Sequence, residues 1–164
     1  MNTGIQRSSA TPWGAWTTTT PSNNPKAERK KNIIEIMAAH KIPYIATATI
    51  AFPEDLIRKV EKAMKYRGTK FLHILAPCPP GWKTAPELTI KLSRMAIECK
   101  VFPLMEVIDG EKYILNYEPA GLPVKGYIRL QERFKHLKDT DIETIQIFYD
   151  KEWEKIMAKV NSSS

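Results

Sequence analysis

No stretch of this 164-residue chain is apolar for long enough to cross a membrane. No N-terminal segment reads as a signal peptide either, since Met1 leads straight into the polar run NTGIQRSS. Cysteine is scarce: Cys78 and Cys99 are the two present, far apart and without CxxC spacing. The three histidines, His40, His73 and His136, are scattered. This sparsity argues against a disulfide framework and against a self-contained metal site, and it fits a reducing compartment, read here as the cytoplasm. Zinc-finger spacing, a glycine-rich nucleic-acid loop and an RNP-like aromatic strand are all missing. The formal charge of +7, from 25 Lys+Arg against 18 Asp+Glu, is spread over several helices and therefore does not point to nucleic acid. Neither a nucleic-acid nor a membrane partner is expected, and no internal repeat is visible.

What is present is the pattern of an α/β protein. Residues 1–25 are loop-like, with Gly4, Pro12, Gly14, Pro21, Pro25 and a run of threonines from Thr17 to Thr20. The spacing in KAERKKNIIEIMAAH predicts a helix over Lys26–His40. A short β-branched strand is expected over Pro43–Thr49. Pro53, Glu54 and Asp55 then open a helix that stops by Gly68, with Leu56, Val60, Ala63 and Met64 as its buried stripe. Lys70–Ala76 reads as a second, buried strand. Thr84 and Glu87 form a candidate capping box before a helix carrying Leu88, Leu92, Met95 and Cys99. The order β-α-β-α favours parallel strands joined by right-handed crossovers.

The last third changes character. LMEVI and EKYIL flank Asp109-Gly110 as a hairpin. Helices are expected over Ile128–Leu137 and Thr140–Val160, the second opened by a Thr140/Glu143 capping box. Its apolar face is Ile142, Ile145, Tyr149, Trp153, Ile156 and Val160, and Asn161–Ser164 should fray.

The most informative stretch is LAPCPPGW, Leu75–Trp82, where Pro77, Pro79 and Pro80 fence one cysteine. Proline denies the backbone its donors and ends regular pairing, so Cys78 sits on a rigid loop at the C-terminal end of a strand. α/β proteins place their chemistry there. Taken alone, such a cysteine is more often a small buried hydrophobe than a ligand. Cys99, on an apolar helix face, is core. His73 alternates with strand neighbours and reads as a packed side chain. Trp13, Trp16 and Trp82 border the two loops, and Trp153 reads as helix packing. Asn2, Thr3 and Gly4 are ordinary turn residues.

Asn2-Thr3-Gly4, Gln6, Ser8, Ala10-Thr11-Pro12, Gly14-Ala15 and the threonine run together resemble the thiamine-diphosphate-binding beta subunit of the 2-oxoacid:ferredoxin oxidoreductases, pyruvate synthase above all. The resemblance continues through IPYIATATIAFPEDLIRKVEKA, HILAPCPPGW and FPLMEV, and weakens after Gly121. It implies the C-terminal half of a thiamine-diphosphate-binding fold: a cofactor-facing loop region over 1–25, a β-α-β-α core over 26–108 and a hairpin with helices over 109–164. In that family a Gly-Asp-Gly segment and an Asp-x-x-x-Tyr strand precede the Asn-Thr-Gly loop and hold magnesium, so the resemblance puts those ligands upstream of Met1. It also implies that Asn2 and Thr3 touch thiamine diphosphate and that Cys78 is the last of four thiolates around a 4Fe-4S cluster. The implied holoenzyme converts pyruvate and coenzyme A to acetyl-CoA. It passes electrons to ferredoxin with alpha, gamma and delta subunits as partners. A paralogue acting on branched-chain 2-oxoacids is the alternative within the family, and a non-catalytic interaction module the alternative outside it. The chain alone is expected to be inactive.

Overall fold

The computed structural model describes residues 4–20 and 23–163. Strand β1, Tyr44–Thr49, is buried along its whole length. Its two faces serve two cores, as a strand's period of two requires. Tyr44 and Ala46 pack against Ala63 of helix α2, Pro53–Lys65, while Ile45 packs with Ile34 and Ala38 of helix α1, Ile33–Ala39. Strand β2, Lys70–Leu75, runs parallel to β1, pairing Tyr44 with Lys70 and Thr49 with Leu75.

Strands β3, Met105–Ile108, and β4, Lys112–Leu115, form the hairpin expected at Asp109-Gly110. The hairpin joins the same sheet, because β3 pairs antiparallel with β1. The sheet is therefore mixed, in the order β2-β1-β3-β4, with only β1 and β2 parallel. Gly110, at φ +74°, is required twice over: it adopts the left-handed region, and a Cβ there would fall 2.3 Å from the Ala38 carbonyl oxygen at the end of α1.

A third core lies beyond the strand ends. After the one-turn helix α3, Pro79–Trp82, helix α4, Thr89–Glu98, helix α5, Val124–Arg129, and the first half of helix α6, Asp139–Ser162, contribute Leu92, Ile97, Val124, Ile128, Ile142 and Ile145 to it. Further along α6, Ile156 and Val160 cover the β3–β4 face, and Lys159 reaches Glu35 of α1 at 2.5 Å. Among the described residues no helix is long and apolar enough to cross a membrane.

Several expectations are corrected. The helix over Lys26–His40 shortens to α1, because Lys26 is drawn into the loop region. Its N–H donates to the Ala15 carbonyl at 3.0 Å, and its ammonium donates to the Thr11 carbonyl at 2.8 Å. The inward face of α2 is Lys59 and Ala63, whereas Val60 and Met64, the latter 78% exposed, point outward. The helix turns this way because the fully buried Lys59 ammonium donates to the Thr47 carbonyl at 2.8 Å and pairs with Asp55 at 2.6 Å. Strand β2 is an edge strand and only half-buried, since no described strand pairs with its outer side.

The Thr84/Glu87 capping box does not form. A 3₁₀ turn, Pro86–Leu88, leads into α4, and the buried Thr84 hydroxyl has no partner among the described residues. Helix α5 starts four residues before Ile128, and the chain to Leu137 continues as a 3₁₀ turn, Glu132–Phe134. The N-terminus of α6 is set by Asp141, whose carboxylate accepts the Lys138 N–H at 2.8 Å, in place of Thr140/Glu143. At the other end, Asn161 and Ser162 remain helical.

Candidate functional site

The parallel strands β1 and β2 end together at Thr49 and Leu75, and the chain leaves β2 through Ala76 and Pro77 to Cys78. Cys78 is extended, at φ −110° and ψ 98°, and its carbonyl accepts the Trp82 N–H at 2.8 Å to close the one-turn helix Pro79–Trp82. Prolines at the first two positions of that turn need no donors and fix φ. The direction of the thiol is thus set by a rigid turn, as the sequence predicts. Cys78 is half-buried, and Cys99 lies in the core with its thiol pushed up to about 12 by burial.

Cys78 opens onto a cavity of about 250 Å³ at the strand ends. One wall is the opening loop, with Gly4, Ala10, Thr11 and Pro12. Gly4 is buried at φ +103°, and a Cβ on it would sit 2.2 Å from the Gly81 carbonyl oxygen. Two loops distant in sequence are therefore in backbone contact. The threonine run is tied to the same loop: Thr18 and Thr19 donate backbone N–H groups to the Gly4 and Ile5 carbonyls at 3.2 and 3.0 Å. Asn2 and Thr3 lie outside the described residues.

The rest of the lining is aliphatic, aromatic and cationic. His73, Lys30, Trp82, Tyr127, Tyr149 and Arg133 all face the cavity, and no aspartate or glutamate does. Arg133 is 4% exposed and carries no ion pair among the described residues. Its Nε and Nη2 donate to Gln131 Oε1 at 3.0 and 2.6 Å, and its guanidinium lies 4.1 Å from the Trp82 ring centre. Gln131 is buried too and donates to the Tyr127 carbonyl at 2.8 Å. The Arg133 carbonyl accepts the Trp16 N–H at 3.1 Å, while Glu132 N–H donates to the Lys83 carbonyl at 3.2 Å. This 3₁₀ turn therefore clamps both loops of the site.

Burial lowers the pKa of Arg133 to about 10. Lys30 is also held below the ordinary lysine range, by burial first and then by the charge of Arg133. Burial, with the charge of Lys30, pulls His73 down to about 4, so its imidazole is neutral at pH 7. It stands edge-on to Phe102, with ring centres 5.0 Å apart, the packed role expected of it. Tyr127 is pushed up to about 12 by burial.

This donor set can hold one thiolate corner of a metal group, and it presents positive charge to whatever occupies the cavity. Among the described residues there is no cluster of three or more His, Cys, Asp or Glu able to hold a metal ion. Any further ligands must come from elsewhere. Sequence reasoning located Cys78 and the opening loop but missed Lys30, Gln131, Tyr127 and Arg133. Nothing in QERFKH or ERKKN distinguishes those cations from a solvated helix face.

No protein-family model matches the chain. Its curated relatives include the ketoisovalerate oxidoreductase subunit VorB of Pyrococcus furiosus, 46% identical over 164 residues that cover 95% of this chain and 52% of the relative. The pyruvate synthase subunit PorB of Methanocaldococcus jannaschii is 49% identical over 154 residues, covering 92% of this chain and 51% of the relative. The pyruvate synthase subunit PorB of Pyrococcus furiosus is 41% identical over 158 residues, covering 84% and 48%. The chain thus spans about half the length of the curated relatives it matches.

Proposed function

We propose, from the premise that this chain is homologous to the PorB and VorB subunits over the half it spans, that it is the C-terminal, cluster-bearing part of a 2-oxoacid:ferredoxin oxidoreductase beta subunit with a thiamine-diphosphate-binding fold. The observation that carries this reading is the Cys78 thiol, fixed by prolines at the end of β2 and facing the opening loop across a cavity without carboxylates. A thiolate-held iron–sulfur group suits that position. Iron takes sulfur ligands, and hydrogen bonds, apolar walls and local charge tune its potential. Cys78 would supply one thiolate, and the other three would come from polypeptide matching the rest of the relatives' length.

Asn2 and Thr3 would contact thiamine diphosphate, Asn2 through an amide that both donates and accepts. Gly4, the next residue in the sequence, approaches Gly81 beside the Cys78 turn. Magnesium would be held by residues beyond this chain. When bound, thiamine diphosphate supplies the electron sink for decarboxylation and the cluster takes up single electrons. The chain's own part is to orient the sulfur, to hold the two loops together through Arg133 and Glu132, and to wall the cavity with Trp82, Phe102 and Tyr149. Alpha, gamma and delta subunits, ferredoxin and coenzyme A would complete a cytoplasmic holoenzyme.

Pyruvate is the substrate we favour, after the pyruvate synthase relative at 49% identity. A branched-chain 2-oxoacid is the second reading, because within Pyrococcus furiosus the match to VorB is 46% against 41% for PorB. The ratio of kcat/KM for pyruvate and 2-ketoisovalerate in the purified complex decides between them.

The reading is tested by co-expressing the chain with polypeptide matching the rest of the relatives' length and with partner subunits, then comparing iron and sulfide in wild type and Cys78→Ser. The serine variant should lose the iron of one cluster while the subunits still co-purify. Equal iron in the two would remove the ligand assignment and leave an interaction module.

A further inference from the structure

We propose that Arg133, assisted by Lys30, is the built-in counter-charge of the group held at Cys78 and sets that group's reduction potential; this rests on the reading of Cys78 as a cluster ligand. An arginine as buried as Arg133 ordinarily meets a carboxylate, because an unpaired interior charge is destabilising. Here its side-chain partners are neutral: Gln131 Oε1 accepts two of its N–H groups, and Trp82 stacks beneath it. The titratable groups that act on it most are Tyr127, Tyr149 and Cys78, and none is a carboxylate. Lys30 faces the same cavity and, among the described residues, has no hydrogen-bond or ion-pair partner, only the face of Phe102 at 5.9 Å. The two cations repel each other and nothing anionic on the described chain separates them. The fold therefore maintains positive charge beside a thiol, in a cavity that excludes carboxylates.

A thiolate-ligated iron–sulfur cluster is anionic, and each electron added makes it more so. Fixed positive charge in a low-dielectric wall stabilises the reduced form over the oxidised one, so it raises the potential. Arg133 is a positioning and tuning residue in this account. Its guanidinium is aimed by Gln131 and Trp82, its carbonyl accepts the Trp16 N–H, and the neighbouring Glu132 N–H donates to the Lys83 carbonyl.

The test uses the assembled complex and an EPR-monitored dithionite titration. The signal that disappears in Cys78→Ser identifies the cluster concerned. Arg133→Gln should keep full iron and sulfide while the ratio of reduced to oxidised cluster at fixed potential falls about tenfold, a shift of about 59 mV to more negative values for one electron. Lys30→Gln should shift it in the same direction, and Arg133→Lys should restore most of the wild-type value. Because Lys30 is half-buried, its variant keeps the test decisive if Arg133→Gln fails to assemble. Unchanged midpoints in both glutamine variants at full iron overturn the counter-charge, while Cys78 stands as ligand. A weaker apparent affinity for thiamine diphosphate with no change in potential also overturns it and assigns the cations to a diphosphate. If Cys78→Ser removes no signal, the parent reading fails and this one with it.

Discussion

His73 shows how burial at the cavity turns into a pH dependence. Its folded pKa of about 4 lies below the unfolded value of about 6.5. Between those values the unfolded chain binds a proton that the folded chain does not, so stability falls as pH drops. The contribution is complete above pH 6.5 and is lost progressively toward pH 4. In the assembled subunit, the thermal midpoint of wild type should therefore fall relative to His73→Leu as pH goes from 7.5 to 5, a window above most carboxylate titrations. Parallel midpoints across that range would contradict a neutral, half-buried imidazole. Glu106, 1% exposed, behaves in the opposite manner for a buried acid. Burial alone would raise its pKa, but donors from Lys62 and from Asn116 at 2.9 Å outweigh that and hold the carboxyl below its usual range. Glu106→Gln should cost stability at pH 7, and the difference from wild type should shrink as pH falls through the folded pKa of Glu106.

At the level of elements, legibility followed locality. The strands and the hairpin were readable because Tyr44–Thr49 and Met105–Leu115 carry their signals within a few residues, with Asp109 at φ +52° and Gly110 at φ +74° making the turn. Helix α2 was readable at both ends, from Pro53 and Gly68. Its orientation was not, since the choice of Lys59 over Met64 as the inward residue depends on the Thr47 carbonyl twelve positions away. Lys26–Lys31 has good helix formers but surrenders them to hydrogen bonds with Thr11, Ala15 and Ser9. In the site, Cys78 announces itself through its prolines. Arg133 does not, because what marks it is the lack of an acid around it in three dimensions. The same logic gives a test at the hairpin: Gly110→Ala should destabilise the fold by at least about 1 kcal/mol, from positive φ and the collision with the Ala38 carbonyl. A thermal midpoint equal to wild type would show that the turn and the end of α1 are not packed as described.

For the whole molecule, the decisive feature is the open side of the sheet. The outer edge of β2 is unpaired among the described residues, with Ile74 exposed on it, and α2 turns Ile57, Val60 and Met64 outward. An apolar edge strand beside an apolar helix face is a template for association. Expressed alone, the chain should therefore self-associate, and sedimentation should show a broad, concentration-dependent distribution. A monodisperse monomer would mean that this surface needs no cover.

The most direct measurement is an anomalous difference map at the iron edge from crystals of the assembled complex. The account predicts an iron peak bonded to the Cys78 sulfur, with the Arg133 guanidinium on the protein side of the cluster. A Cys78 thiol free of iron while every cluster in the crystal sits on other ligands would contradict it.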